Sequence, residues 1–254
     1  MDLHAEVQGS GRPVVLIHGP GTDLREWVFI VPYLLKTCQV ISYDGRGSGK
    51  SPSPLGPMNP VDDLRMLMDD LHIEKATIVG HSRGGQVAAD FALTDPSRIE
   101  KLILISPSLT GYEYSAEYNS WLDRVNSAPR EIDRVVELVI GGPHHTIVKA
   151  SEHHEFFKEM MTNYVRKALT EWKSYEVNWP EPPAIQRLKE MKASTLFIQG
   201  TKEFEDIYQI REYYGQVPLF DFVLLPRADH MSTLTHPAEI AGNILEFIKE
   251  EAKH

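Results

Sequence analysis

Six short apolar runs, each closed by Gly, Ser or Pro, recur along the chain with helical patterns between them, and this alternation limits the possible folds more than any other feature. The runs are VVLIHG (14–19), CQVISYD (38–44), ATIVGHS (76–82), KLILISP (101–107), STLFIQG (194–200) and FDFVLLP (220–226). They are rich in β-branched residues and lack polar alternation, as suits strands buried on both faces of a parallel sheet. DLREWVFIVPYLL, VDDLRMLMDDL, GGQVAADFALTDP, EDIYQIREYYG and HPAEIAGNILEFIKEE place apolar residues three and four apart, the helical spacing. Strand, helix, strand in repetition predicts a doubly wound α/β fold with helices on both faces of a mostly parallel sheet. The alternation stops once. From about Leu109 to Met191 no strand run occurs, while SWLDRVNS and FFKEMMTNYVRKALTEW carry helical spacing. A structureless loop of that length is implausible. The expected organisation is a core of residues 1–108 and 192–254, interrupted by a helical cap insertion over 109–191.

A chain of 254 residues is long enough for one α/β domain with an insertion. Its net charge of −10 disfavours nucleic acid and anionic membrane surfaces as partners, since both call for a basic face. A small-molecule substrate is the expected partner, and the oligomeric state is left open. The single cysteine, Cys38, allows neither an intrachain disulfide nor a zinc cluster and lies in an apolar run, where a buried thiol is expected. The start MDLHAEVQGSG lacks the basic and apolar parts of a secretory signal, and no run approaches the length of a membrane span. A cytoplasmic location is the expectation.

The stretch YDGRGSGKSP (43–52) resembles a phosphate-binding loop, which requires Gly, four residues, then Gly-Lys-Ser or Thr. The first required glycine falls at Asp44. A carboxylate there would face phosphate oxygens instead of offering them an N–H, so the nucleotide reading fails.

The strongest chemical signal is Gly80-His81-Ser82-Arg83-Gly84-Gly85, between the run ATIVG and the helical pattern GGQVAADFAL. G-x-S-x-G between strand and helix is a nucleophile elbow. Ser82 must occupy a strained turn with its hydroxyl projecting, and side chains at 80 and 84 would clash. The helix that begins there aims its first amides at a developing oxyanion. A serine nucleophile needs a base and an acid, which follow it in the chain in the order acid, then histidine. His230, in RADHM after the last strand run, is the expected base. His236 precedes Pro237 and reads as a helix-start residue, and His81 reads as a packing or pocket-wall residue. The acid should follow STLFIQG, where Glu203, Glu205 and Asp206 compete. Glu203 stands three residues past Gly200 and is preferred. Asp206 is the alternative acid, or the N-cap of the helix that follows.

At this point the chain resembles the α/β-hydrolase family over almost all of its length. The resemblance is carried by HGPG (18–21), DGRGSGKS (44–51), GHSRGG (80–85), GTKE (200–203) and ADHM (228–231). It makes DGRGSGKS a structural turn in which Asp44 and Arg46 are internal hydrogen-bonding and ion-pairing residues. SPSLTGYEYS and PPAIQRLKEMKASTLFIQG are similar to a lidded, esterase-like subgroup. The implied function is a serine hydrolase of a small, mostly apolar carboxylic ester or lactone, with Ser82, His230 and Glu203 as catalytic residues and no cofactor or metal. C–C hydrolysis, lyase or perhydrolase chemistry with the same residues stays open, as does a ligand-binding protein with a weakened triad, because one fold hosts many chemistries. Three features depart from the family pattern. The acid is Glu rather than Asp. The residue after His18-Gly19, usually an oxyanion N–H donor, is Pro20, which has no N–H. The first strand is expected to be short or missing. Arg83 supplies one oxyanion donor, and the second falls to Gly21 or is absent.

Other residues carry weaker signals. His144-His145 and His153-His154 lack the spacing of a metal site. Asp62-Asp63 and Asp69-Asp70 read as a solvated helix face. Trp121, Trp172, Trp179, Met160 and Met161 read as core of the insertion, with some lining a cavity roof.

Overall fold

The computed structural model describes residues 2–250. Each apolar run forms a strand: β2 (Arg12–Ile17), β3 (Cys38–Tyr43), β4 (Ala76–His81), β5 (Ile99–Ile105), β6 (Thr195–Gly200) and β7 (Phe220–Leu225). A further strand, β1 (Ala5–Gly9), stands before them, and no other precedes it among the described residues. The sheet order is β1-β3-β2-β4-β5-β6-β7; β1 runs antiparallel to β3 and all other pairings are parallel.

The alternation of side chains divides the core in two. Val15, Ile41, Ile78, Leu102 and Phe197 point to one face, under α2 (Pro60–Asp70), α3 (Arg83–Thr94) and α8 (Glu205–Tyr214). Val14, Val40, Val79, Ile103 and Ile198 point to the other, under α1 (Val31–Leu34) and α10 (Pro237–Lys249). Both faces being covered explains why the runs are apolar throughout. β7 is the exception. It is an edge strand, and Phe222 and Leu224 on it are exposed. The pattern DLREWVFIVPYLL does not form one helix. It breaks into a 3₁₀ turn (Leu24–Trp27) and the single turn α1, whose second residue, Pro32, lacks the N–H that would continue an earlier helix.

Between β5 and β6 the chain forms α4 (Ala116–Asn126), α5 (Ile132–Ile140), α6 (Thr146–Lys149) and α7 (His154–Thr170), and no named strand. These helices have a core of their own, including Val136, Ile140, Phe157, Met160 and Met161. Met231 and Leu234, from the chain after β7, join it. Among the described residues no helix is long and apolar enough to cross a membrane.

The 44–51 loop closes on itself. Asp44 accepts from the Leu24 and Lys50 amides, each at 2.8 Å, and its carbonyl accepts from the Ser51 hydroxyl. Arg46 pairs with Asp63 at 2.9 Å and with Asp2 at 3.1 Å. Asp63 is therefore no part of a solvated face, because its side chain is folded against Arg46.

One buried acid makes stability depend on pH. Asp90, on the core side of α3, accepts from the Thr110 hydroxyl and is 2% exposed. Burial raises its pKa to about 6 from 3.8, with Thr110 and Arg187 opposing. An acid whose pKa rises on folding favours the folded state below the unfolded pKa, and that contribution is lost as pH climbs through the folded one. Asp90→Asn should therefore gain melting temperature over the wild type at pH 8 and lose most of that advantage near pH 4.5. Thermal scans at both pH values check this, and an equal difference at the two would show that no ionisation cost is carried there.

Candidate active site

The site is built where β2, β4, β6 and β7 end. β4 runs into Ser82, whose φ of 52° and ψ of −120° are strained for a residue with a Cβ, and α3 starts at the next residue. The strain is held by backbone bonds. The Ser82 N–H donates to the Ile105 carbonyl at 3.0 Å, and its carbonyl accepts from Gln86 and Ser108. The turn also depends on absent side chains. A Cβ on Gly84 would stand 2.2 Å from the Ile17 carbonyl oxygen, and one on Gly80 would stand 2.3 Å from that of Gly84.

The loops after β6 and β7 bring two further groups to the serine. Nε2 of His230 lies 3.0 Å from the Ser82 Oγ, and its Nδ1 lies 3.1 Å from Oε2 of Glu203. The Glu203 side chain is fully buried. Asp206 is elsewhere. Its carboxylate accepts from the Ser115 amide and hydroxyl, both at 2.7 Å, and from the Tyr112 hydroxyl at 3.0 Å. It is neither a partner of His230 nor the cap of α8, whose N-cap is Phe204. It fastens α8 to the start of α4 instead. His236, as expected, precedes the last helix as the N-cap of α10.

Three residues without a functional signal in the sequence shape this arrangement. Asp229, fully buried, accepts from the Ile147 and Val148 amides at the start of α6 and from its own neighbour Met231. Burial raises its pKa, with those amides opposing. His144 accepts at its backbone oxygen from the His230 N–H at 3.2 Å. The His144 ring is 4% exposed, has neither nitrogen partnered, and lies 4.1 Å from the Phe204 ring, centre to centre. Burial lowers its pKa to about 4, so it is neutral at pH 7. Glu26 is buried with His81 and the Gly19 amide. Only adjacency to His230 hints at Asp229, and nothing in the spacing of DLREWVF marks an acid that turns inward.

Two cavities adjoin the neighbours of the histidine–serine pair, and neither is lined by Ser82 or His230 themselves. One, of about 90 Å³, is lined by Gly19, Pro20, Arg83, Met58, Tyr164 and Trp172. The other, of about 180 Å³, is lined by Tyr118, Trp121, His144, Glu203 and Phe204. Trp121 and Trp172 thus line cavities, whereas Met160 and Met161 are core of the helical segment. As the first residue of α3, Arg83 has no intrahelical acceptor for its N–H. Pro20 has no N–H at all, and no protein acceptor of the Gly21 N–H occurs among the described residues. Gly21 has φ of 82°, open to glycine, and a Cβ there would meet Met161 at 2.4 Å.

The profile of the family described as alpha/beta hydrolase fold matches residues 12–237. The chain is 26% identical to a pimeloyl-[acyl-carrier protein] methyl ester esterase of Legionella pneumophila, over 98% of this chain and all of that one. In structure it is similar to the enol-lactonase of Burkholderia xenovorans LB400, with TM-score 0.80 and 23% identity over 98% of this chain and 96% of that one. It is also similar to a thermophilic esterase of Thermogutta terrifontis, with TM-score 0.78 and 25% identity over 97% and 93% of the two chains.

The close approach at Gly84 has a measurable consequence. The atom that a Cβ would strike is backbone of a central strand, which cannot swing aside as a side chain could. Gly84→Ala should cost more than about 3 kcal/mol of stability, among the larger effects of single substitutions. Urea titration checks this, and a loss below about 1 kcal/mol would show that the helix start can shift freely.

Proposed function

The chain belongs to the α/β-hydrolase fold family, and from that premise we propose that it is a serine hydrolase of a small, mostly apolar carboxylic ester or lactone. The observation that carries this reading is the row Ser82–His230–Glu203, with contacts of 3.0 and 3.1 Å, beginning at a strained elbow whose first helical amide is free. In this reading residues 109–191 are a cap over a core of 1–108 and 192–254. The cavity walled by Met58, Tyr164 and Trp172 favours apolar groups, whereas the one beside Glu203 also carries Glu117, Glu205 and Asp206. The related methyl ester esterase and the thermophilic esterase support ester chemistry.

The steps follow from the contacts. Ser82 Oγ attacks the ester carbonyl as its proton passes to His230 Nε2. Glu203 accepts from Nδ1–H, holds that tautomer and balances the imidazolium. The carbonyl electrons move to oxygen, and the Arg83 N–H stabilises them. The C–O bond to the alcohol then breaks, and the His230 proton leaves with the alcohol. Water, giving its proton to His230, attacks the acyl-serine and releases the acid, and the proton returns to Ser82. Gly21 is the second oxyanion donor in this reading. Its left-handed backbone lets the peptide after Pro20 turn its N–H toward the site.

Ser82→Ala should lower p-nitrophenyl ester hydrolysis at least about 10³-fold with an unchanged circular dichroism spectrum. Near wild-type turnover would remove the serine from the mechanism. Glu203→Gln should cost about 10²–10⁴ in kcat, whereas Asp206→Asn should cost less than about tenfold and act mainly on stability. The reverse ranking would reassign the acid. Pro20→Gly tests the oxyanion hole. With Gly21 donating, turnover should change by less than about fivefold. A gain approaching the 10²–10³ value of one donor would mean a depleted hole, favouring non-ester chemistry or ligand binding.

A further inference from the structure

Glu26 and His81 lie beneath Ser82 with side chains 0% and 2% exposed. Oε1 of Glu26 is 2.8 Å from Nδ1 of His81, an ion-pair contact not aligned as a hydrogen bond, and neither atom has a hydrogen-bond partner. Two bare lone pairs at that distance would repel, so one of the two atoms carries a proton. The other ring nitrogen, Nε2, is 2.8 Å from the His230 carbonyl oxygen. A carbonyl only accepts, so Nε2 carries a proton as well. Oε2 of Glu26 accepts from the Gly19 amide at 3.1 Å and from the Thr22 hydroxyl, which fits an ionised carboxylate. The remaining proton sits on Oε1 in a neutral pair and on Nδ1 in a carboxylate–imidazolium pair.

We infer that Glu26 and His81 form a buried carboxylate–imidazolium pair that locks together the three loops around Ser82 and so fixes where the His230 backbone sits. The pair joins the Gly19 loop, the residue preceding the nucleophile and the backbone of the base itself. Its positive end faces the base, for the His81 and His230 rings are 4.9 Å apart, centre to centre, and Glu26 touches the opposite ring nitrogen. The other titratable groups acting on the pair are His18 on the Glu26 side, Glu203 behind His230, and His145 from the helical segment. Burial pushes the Glu26 pKa up, but the His81 charge and the Glu26 hydrogen bonds hold it at about 2. Burial likewise pushes His81 down, and Glu26 raises it above its ordinary value. Glu26 and His81 are thus positioning residues. Their role rests on the reading of Ser82 and His230 given above, but the protonation state does not.

The test has two arms. ¹⁵N spectra of histidine-labelled wild type should show one imidazole protonated on both nitrogens at neutral pH, identified by its loss in His81→Gln. The second arm uses Glu26→Gln, which is isosteric and can still accept from Gly19 while its amide donates to a neutral His81. On p-nitrophenyl butyrate this variant should lower kcat about 10- to 100-fold with KM little changed. A neutral His81 in the wild type overturns the inference, as does a Glu26→Gln enzyme with unchanged kcat. If Glu26→Gln does not fold, the wild-type spectra decide alone. If Ser82→Ala retains turnover, the hydrolase reading fails while the spectra still decide the pair.

Discussion

How closely α3 can begin against the ends of β2 and β4 governs everything near Ser82. The first turn of the helix lies against the Ile17 carbonyl, with no room for a side chain at position 84. Moving the helix start outward by a Cβ's width would relax the backbone angles of Ser82 and turn its hydroxyl away from His230. The strain at the serine, roughly 1–3 kcal/mol for a residue held in such a region, is tolerated because the neighbouring backbone over-determines the turn. The amides of Ser82, Gln86 and Ser108 all take part.

The groups facing the serine are set from the other side, by the helices between β5 and β6. His230 hangs from the His144 carbonyl by its backbone N–H, and the adjacent Asp229 holds the first amides of α6. The acid-bearing loop is fixed similarly, through Asp206 and Ser115 at the start of α4. Lifting this corner of the helical segment would strip Asp206 of its Ser115 donors and leave Asp229 with the Met231 amide alone, a cost of several kcal/mol for under-paired buried charge. The position of these helices and the position of His230 are therefore one variable.

The sequence disclosed what is local and withheld what is paired at a distance. Strands were legible because burial on both faces leaves an unbroken apolar run, and the elbow because its glycines answer a crowding problem within five residues. Glu203 could be placed by counting from Gly200. Asp206 was misread as a cap because its partners, Tyr112 and Ser115, lie about ninety residues earlier in the chain. Asp63 was misread as solvated because Arg46, 17 residues away, folds over it. Glu26 sits among apolar residues in a pattern that allots acids to solvent, and only the fold reveals the histidine it meets. β7 misled in the other direction, since an apolar run at a sheet edge has the same composition as one at the centre.

The loop from Asp44 to Ser51 has the glycines and turned backbone amides of a phosphate cradle. The amides of Leu24 and Lys50 converge on oxygens, but those oxygens are Asp44's own. The chain thus carries its anion as a covalent attachment. A nucleotide loop is occupied in proportion to the nucleotide around it, whereas the occupant here cannot dissociate or be diluted. Its ordering is completed once, as the chain folds, and the wall that this loop gives to the smaller cavity through Gly45, Arg46 and Ser48 keeps its shape at any solute concentration.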